Sequence, residues 1–258
     1  MNLTLLSKLP LAHFSLQYDY AKRAARVLNI PIQQALLEFT QFWVRIHDPV
    51  ALKANNMAWN FDATTLPWQE LCERIHVKEP ADKVAYELYL KNNDNSESDK
   101  KYFGCFRYDF IKLTGVENGP VKIHFQNRDA TGYGPLKKER QRARVEELKL
   151  MFKWIRKNHP EAEIVQGGSW LYNLDSYCRL FPKTFTTGMK VEEIPFPRSS
   201  GIWGQFLRSD LQVNERKRSD FLSKVDNATT AHHLLQCFEF KILFPSAAIK
   251  NFYDHFEV

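Results

Sequence analysis

The sequence lacks the marks of several function classes. Its 258 residues hold only four cysteines, Cys72, Cys105, Cys178 and Cys237, far apart and with no C-x-x-C pair. That spacing argues against a zinc ribbon or a dense disulfide framework, and reduced thiols in a cytoplasmic protein are expected. No run of about 18 apolar residues occurs, so no transmembrane helix and no membrane partner are expected. The stretch Met1–Pro10 has a short apolar run broken by Lys8 and Pro10, without a small-residue cleavage site. No secretory leader is expected from it. There is no H-E-x-x-H, and the adjacent His232 and His233 would diverge by about 100° on a helix. No metal is therefore expected. Leu171, not glycine, stands two residues after Ser169, which argues against the Gly-x-Ser-x-Gly nucleophile elbow of a hydrolase. Neither an internal repeat nor a low-complexity tract is visible.

What is present reads as a soluble globular chain, 44% hydrophobic and 26% charged. Aromatics are abundant at 14%, with 19 Phe, which implies a bulky core or a lined pocket. The net charge is +6. A basic balance is compatible with nucleic acid, an acidic membrane or a phosphorylated ligand, and does not choose among them.

Apolar spacing predicts a helix over 15–28 with Leu16, Tyr20, Ala24 and Leu28 on one face. Pro31 opens a second helix carrying Ala35, Leu36, Phe39, Phe42 and Trp43. Further helices are expected at 67–76 and 80–91. The polar stretch 92–101 (NNDNSESDKK) then reads as a linker or surface loop. Beyond it, Tyr102–Leu113 and Val121–Phe125 are rich in aromatic and β-branched residues, with Glu117-Asn-Gly119 as a turn signal, and a β-hairpin is expected. A long helix over 135–158, a strand near 162–166 and a short helix near 173–181 follow. Strands are expected at 191–196, 202–207 and 238–244, and helices at 214–225 and 246–255. The fold class is thus α+β, with a helical domain over 1–95 and an α+β domain over 100–258.

The stretch Val121-Lys-Ile-His-Phe-Gln-Asn-Arg-Asp-Ala-Thr-Gly-Tyr-Gly-Pro135 reads strand, glycine loop, helix. The first amides of a helix have no internal partners and favour an anion. Over 121–160 there are eleven Lys or Arg against four Asp or Glu. Thr131, Gly132, Tyr133, Gly134, Lys137 and Lys138 are the candidate phosphate-binding residues. A tight turn followed by a solvated basic face accounts for the same residues. No Gly-Lys-Ser/Thr follows, and the third glycine of a dinucleotide fingerprint is missing. Downstream, Gly167-Gly-Ser-Trp-Leu-Tyr-Asn173 lies at a strand end, where ligands often sit in α/β sheets. Ser169 and Asn173 are candidates to hydrogen-bond a substrate there, and Trp170, Tyr172 and Trp203 to wall it. The competing reading puts Trp170 in the core and makes Asn173 a helix cap.

Strand, Gln/Arg-x-x-Gly-x-Gly/Ala loop and helix is the pyrophosphate motif of the GNAT acyltransferase superfamily. Asp129-Ala-Thr-Gly132-Tyr-Gly134 resembles it in both glycines, with Asp129 where Gln or Arg stands in the family and Arg128 one position early. Gly134-Pro-Leu136, the long helix and Ser169-Trp-Leu-Tyr-Asn173 look like the GNAT-like domain of certain uncharacterised bacterial proteins that also carry a helical N-terminal domain. The resemblance covers roughly 100–258 and is strongest over 121–182. It implies a GNAT-like mixed sheet with flanking helices, an acyl-CoA such as acetyl-CoA as cofactor, and N-acyl transfer to a small-molecule amine. Tyr177 then stands where the family often places its acid, with Tyr172 as alternative, and His124 is a candidate base. A lone histidine in an apolar strand is also commonly structural. Two other functions compete. One is a non-catalytic GNAT-like module that binds another ligand or a protein. The other is nucleic-acid binding through the basic 137–144 helix and Glu215-Arg-Lys-Arg218, against which the interleaved acids argue.

Overall fold

The computed structural model describes residues 8–48, 61–92, 101–111, 119–129, 131, 133–191 and 201–258. It is an α+β fold with a small mixed sheet, and chain contacts divide it into two units. One unit joins Lys8–Asp99 to Ile194–Glu239, and the other joins Met1–Ser7, Lys100–Glu193 and Phe240–Val258. The stretch 201–239, expected with the second domain, therefore belongs to the helical unit.

The helical unit opens with α1 (Leu11–Leu28). Its inward residues include Phe14, Gln17, Tyr20, Ala21 and Ala24, spaced three and four apart as an amphipathic helix requires. Asn29 ends it in the left-handed conformation (φ 53°), a short polar residue that tolerates that region. The second expected helix divides into α2 (Ile32–Phe39) and α3 (Phe42–Ile46). The break has a local cause. Thr40 is extended, and its hydroxyl donates to Leu36 O and accepts from Phe42 N, competing with the helical ladder. Buried Gln17 of α1 accepts the Gln41 amide at 2.7 Å, so the interruption leaves that donor satisfied. Helices α4 (Leu66–His76) and α5 (Ala81–Asn92) follow.

Strands β1 (Phe106–Phe110) and β2 (Val121–Phe125) pair antiparallel, as expected of a hairpin. Glu117 and Asn118 of the expected turn lie outside the described residues. The crossover helix α6 (Gln141–Asn158) leads to β3 (Ile164–Gln166), parallel to β2. Short helices α7 (Asp175–Cys178) and α8 (Lys183–Thr186) precede β4 (Lys190–Val191). Of the strand expected at 191–196, residues 192–196 lie outside the described residues.

Gly201–Phe206 is a 3-10 turn rather than the strand expected at 202–207. It buries Ile202, Trp203 and Phe206 together on one side, which the alternation of a strand would not do. Helix α9 (Glu215–Asp226) is capped by Asn214, and α10 (Ala231–Gln236) by Thr230. The strand expected at 238–244 shrinks to β5 (Leu243–Phe244), which pairs with β4. The helix expected from 246 is delayed, because Ser246–Ala248 pairs with β3 as β6 before α11 (Lys250–Phe256) begins. The main sheet has the order β1-β2-β3-β6.

Each unit has its own apolar centre. In the helical unit Tyr20 packs edge-on against Trp203 at 5.4 Å between ring centres, and with Phe221 and Phe238. Ion pairs Asp19–Arg218 (2.8 Å) and Arg23–Asp226 (2.7 Å) tie α1 to α9. In the α+β unit, α6 and α11 pack through Phe152, Phe252 and Phe256 beneath Val121, Ile123 and Val165 of the sheet.

The Tyr20 hydroxyl is buried without a hydrogen-bond partner. Tyr20→Phe is expected to leave stability unchanged or raise it by about 1 kcal/mol, since an unsatisfied buried hydroxyl is unfavourable. Trp203→Ala, which empties the same cluster, is expected to lower stability by about 3–5 kcal/mol. Urea denaturation of the two variants checks both signs.

Candidate functional site

The glycine loop does not lead straight into its helix. Gly134 O accepts from Lys137 N at 3.0 Å, closing a turn with Pro135 inside it. Proline's fixed φ suits that turn position. A 3-10 turn over Lys138–Arg140 follows, and α6 starts at Gln141 rather than Pro135. The expected anion cradle of α6 amides beside Gly134 is thus not formed by this chain. Gly132 lies outside the described residues. Thr131 donates its amide (3.0 Å) and hydroxyl (2.6 Å) to Asp129 Oδ1. Tyr133 is exposed, and Lys137 and Lys138 are exposed beside it.

Asp129, which stands where the resembled motif has Gln or Arg, is the anchor of the loop. Its side chain is buried, receives Arg140 Nε at 2.6 Å and Arg144 Nη2 at 3.1 Å. Arg144 is itself buried, pairs with Glu147 at 2.8 Å and donates to Cys105 Sγ. Glu147 accepts the Cys105 amide at 3.0 Å. Burial pushes the Asp129 carboxyl up, but hydrogen bonds from Thr131 and Arg140 and the Arg144 charge outweigh it and hold the carboxyl at about 2. The close approach around Glu147 requires Gly104 (φ +61°), where a Cβ would lie 2.0 Å from Glu147 Cδ.

The expected basic face is therefore partly engaged. Of its cations, Arg140 and Arg144 are held by Asp129 and Glu147. In the second cluster Lys217 pairs with Glu239 (2.9 Å) and Arg218 with Asp19 (2.8 Å).

The Ser-Trp-Leu-Tyr-Asn segment forms a 3-10 turn, Trp170–Asn173. Ser169 caps it by accepting Leu171 N at 3.1 Å. Asn173 donates to Trp170 O (2.7 Å) and Lys241 O (2.8 Å), so its amide holds the turn to the chain before β5. Trp170 is half-buried and stacks on Phe240 at 5.7 Å. Trp203 belongs to the aromatic centre of the helical unit.

Tyr172 and Tyr177 are both buried in the core of the α+β unit, 5.0 Å apart between ring centres. Burial raises the pKa of both phenols, so each stays protonated. The Tyr172 hydroxyl lies in the direction of Tyr177 yet makes no well-formed hydrogen bond. It sits over Gly167, where a Cβ would lie 2.3 Å from Tyr172 Oη. Tyr177 also contacts Phe125 at 5.7 Å. His124, the residue before Phe125, points to the other face of the sheet beside Asp109. The candidate acid and base are therefore on opposite faces, and the structure does not bring them together.

The residues not singled out in the sequence are Arg107, Asp109 and Lys122. With His124 they form a half-buried polar group on that other face. Period-two alternation of charged with apolar residues in both strands carried the signal. Among the described residues no group of His, Cys, Asp and Glu is arranged to hold a metal, and no helix is long and apolar enough to cross a membrane.

No protein-family model, no curated protein and no solved structure matches the chain.

Asp129→Asn is expected to destabilise the protein by about 3–5 kcal/mol at neutral pH, by leaving buried Arg144 poorly compensated. The Asp129 carboxyl is held at about 2 against 3.8 when unperturbed. Its contribution is therefore full above about pH 4 and is lost as pH falls toward 2. Acid titration of stability should show that arm in the wild type and lack it in Asp129→Asn. Gly167→Ala is expected to lose about 1–3 kcal/mol from overpacking against Tyr172, read as a lowered thermal midpoint.

Proposed function

We propose that the α+β unit is a GNAT-like module that binds an acyl-coenzyme A, with N-acyl transfer to a small-molecule amine as its activity. The observation that carries this reading is the pairing of β2 with β3. The two parallel strands pair only through Val121 with Val165 and Lys122 with Gln166. Beyond Gln166 the chain leaves at Gly167, whose amide bonds Pro245 O, while β2 continues through Ile123, His124 and Phe125. The strands splay, as an acyl carrier arm between them would need. The Tyr172 hydroxyl, directed at Tyr177, lies at this divergence beside Gly167.

The residues fit such a ligand in one respect that their sequence did not promise. Asp129 is neutralised by Arg140 and Arg144, so its carboxylate does not oppose a pyrophosphate at the loop. With Thr131 engaged by Asp129, the exposed Lys137 and Lys138 beside Tyr133 and Gly134 would hold the phosphates, and Trp170 and Tyr172 would border the acyl arm. Bound there, an acyl-coenzyme A supplies an activated thioester. Tyr177, kept protonated by burial, is held as a hydrogen-bond donor, and its raised pKa makes it a weak proton donor to a leaving thiolate unless a bound ligand lowers it. Ser169 and Asn173 hold the turn in place and do not need to touch a substrate.

The separation of Tyr177 from His124 across the sheet favours a second reading, a GNAT-like module that binds without catalysing.

Acetyl-CoA at about 100 times its dissociation constant is expected to stabilise the native protein by about 2.7 kcal/mol. Lys137→Glu with Lys138→Glu is expected to weaken the effect. A thermal-shift series over acyl-CoAs, nucleotides and sugar phosphates checks this. Absence of any shift with millimolar acetyl-CoA sinks the acyl-CoA reading. A shift without product formation from amines favours the binding module.

A further inference from the structure

The sheet face turned away from the apolar core carries an ordered polar set. Register places Asp109 of β1 beside Lys122 of β2, Lys122 beside Gln166 of β3, and Gln166 beside Ser246 of β6. This is one polar row across all four strands. Arg107 stands beside His124 in the next row, where β3 has already turned away.

Within this set Arg107 pairs with the Asp109 carboxylate. His124 Nε2 stands 3.2 Å from the same carboxylate oxygen, within reach of it though short of a well-formed hydrogen bond. Arg107 and Asp109 cancel in charge. Lys122 is half-buried, makes no close ion pair among the described residues, and feels the Asp109 carboxylate only as a longer-range charge shared with Arg107. Burial pushes the Lys122 ammonium and the His124 imidazolium down from their ordinary values. Two half-buried cations that share one carboxylate leave a net positive charge, which is unfavourable for the folded state and calls for an anion beside it.

We propose that this face is a binding site for the oxyanion group of a small molecule, a phosphate or a carboxylate, held by Lys122, His124 and Gln166 with the Arg107–Asp109 pair as a fixed frame. The three donors fit the task geometrically. Lys122 and Gln166 lie on adjacent strands about 4.8 Å apart, and His124 follows Lys122 on the same face about 7 Å along β2. The ammonium supplies the counter-charge, while the imidazole N–H and the Gln166 amide supply directed hydrogen bonds. The site does not depend on the acyl-CoA reading, because its residues face away from the tyrosine pair.

The test titrates inorganic phosphate and, separately, sodium acetate into the full chain, following the His124 ring resonance by NMR together with the thermal midpoint. At least one anion is expected to shift His124 saturably and to raise the midpoint, and the one that saturates at lower concentration identifies the group as phosphoryl or carboxyl. Lys122→Met is expected to weaken that binding about tenfold or more, as for the loss of a charge-assisted contact. Without ligand, the same variant should be at least as stable as the wild type, since it removes the net positive charge. Failure of both anions to saturate, unchanged binding in Lys122→Met, or a ligand-free variant less stable than the wild type would each overturn the proposal.

Discussion

The buried contact between Asp129 and Arg144 sets the geometry of the α+β unit. Arg144 is a full-length cation at 2% exposure, and a charge so placed must be met by carboxylates. Asp129 meets it from the loop and Glu147 from the next turn of α6. Glu147 in turn accepts the amide of Cys105 at the threshold of β1. Four pieces of chain, the residues before β1, the loop, the 3-10 turn and α6, are thus fixed by one electrostatic requirement. The requirement reaches as far as backbone conformation, since Gly104 has to be a glycine for Glu147 to come near.

This arrangement explains why the glycine loop was legible and its meaning was not. Strand, loop and helix are visible in the residues, and so is a strand near 162–166, whose parallel pairing with β2 the structure supplies. The role of Asp129 was not, because its partners lie 11 and 15 residues away, in a 3-10 turn and on a helix whose register a sequence does not reveal. The same distance effect hid Trp203, whose ring contacts come from α1 and from residues beyond 220. Local signals fared better. The helix expected over 214–225 and the amphipathic stripe of α1 rest on neighbours within a turn or two. Thr40 is the exception at short range, where a single hydroxyl ends a helix that apolar spacing alone would continue.

The sheet divides the chemistry of its unit. Its core face is apolar except for Tyr108 of β1, and the buried Tyr172 and Tyr177 pack into the same core; burial keeps all three phenols protonated. Its other face gathers the ionisable groups, two cations, a carboxylate and an imidazole, on strands too short to spread them apart. Alternation along a strand forces this division. A residue and its neighbour cannot serve one site, so Phe125 and His124 look in opposite directions however close they are in sequence. Whatever chemistry the unit performs has to be assembled from residues two apart on a strand or from neighbouring strands.

The helical unit is assembled from two stretches of chain with 94 residues of the other unit between them, from Lys100 to Glu193. Order of synthesis then matters. When the first five helices have left the ribosome, Tyr20 still lacks Trp203, Phe221 and Phe238, the rings that enclose it. Strands β1 to β3 are made in the interval, before the helices that precede them have a complete interior. The first five helices share an apolar core of their own, from Phe14 to Tyr89, but the face of α1 around Tyr20 is covered only after β1 to β3 have been made.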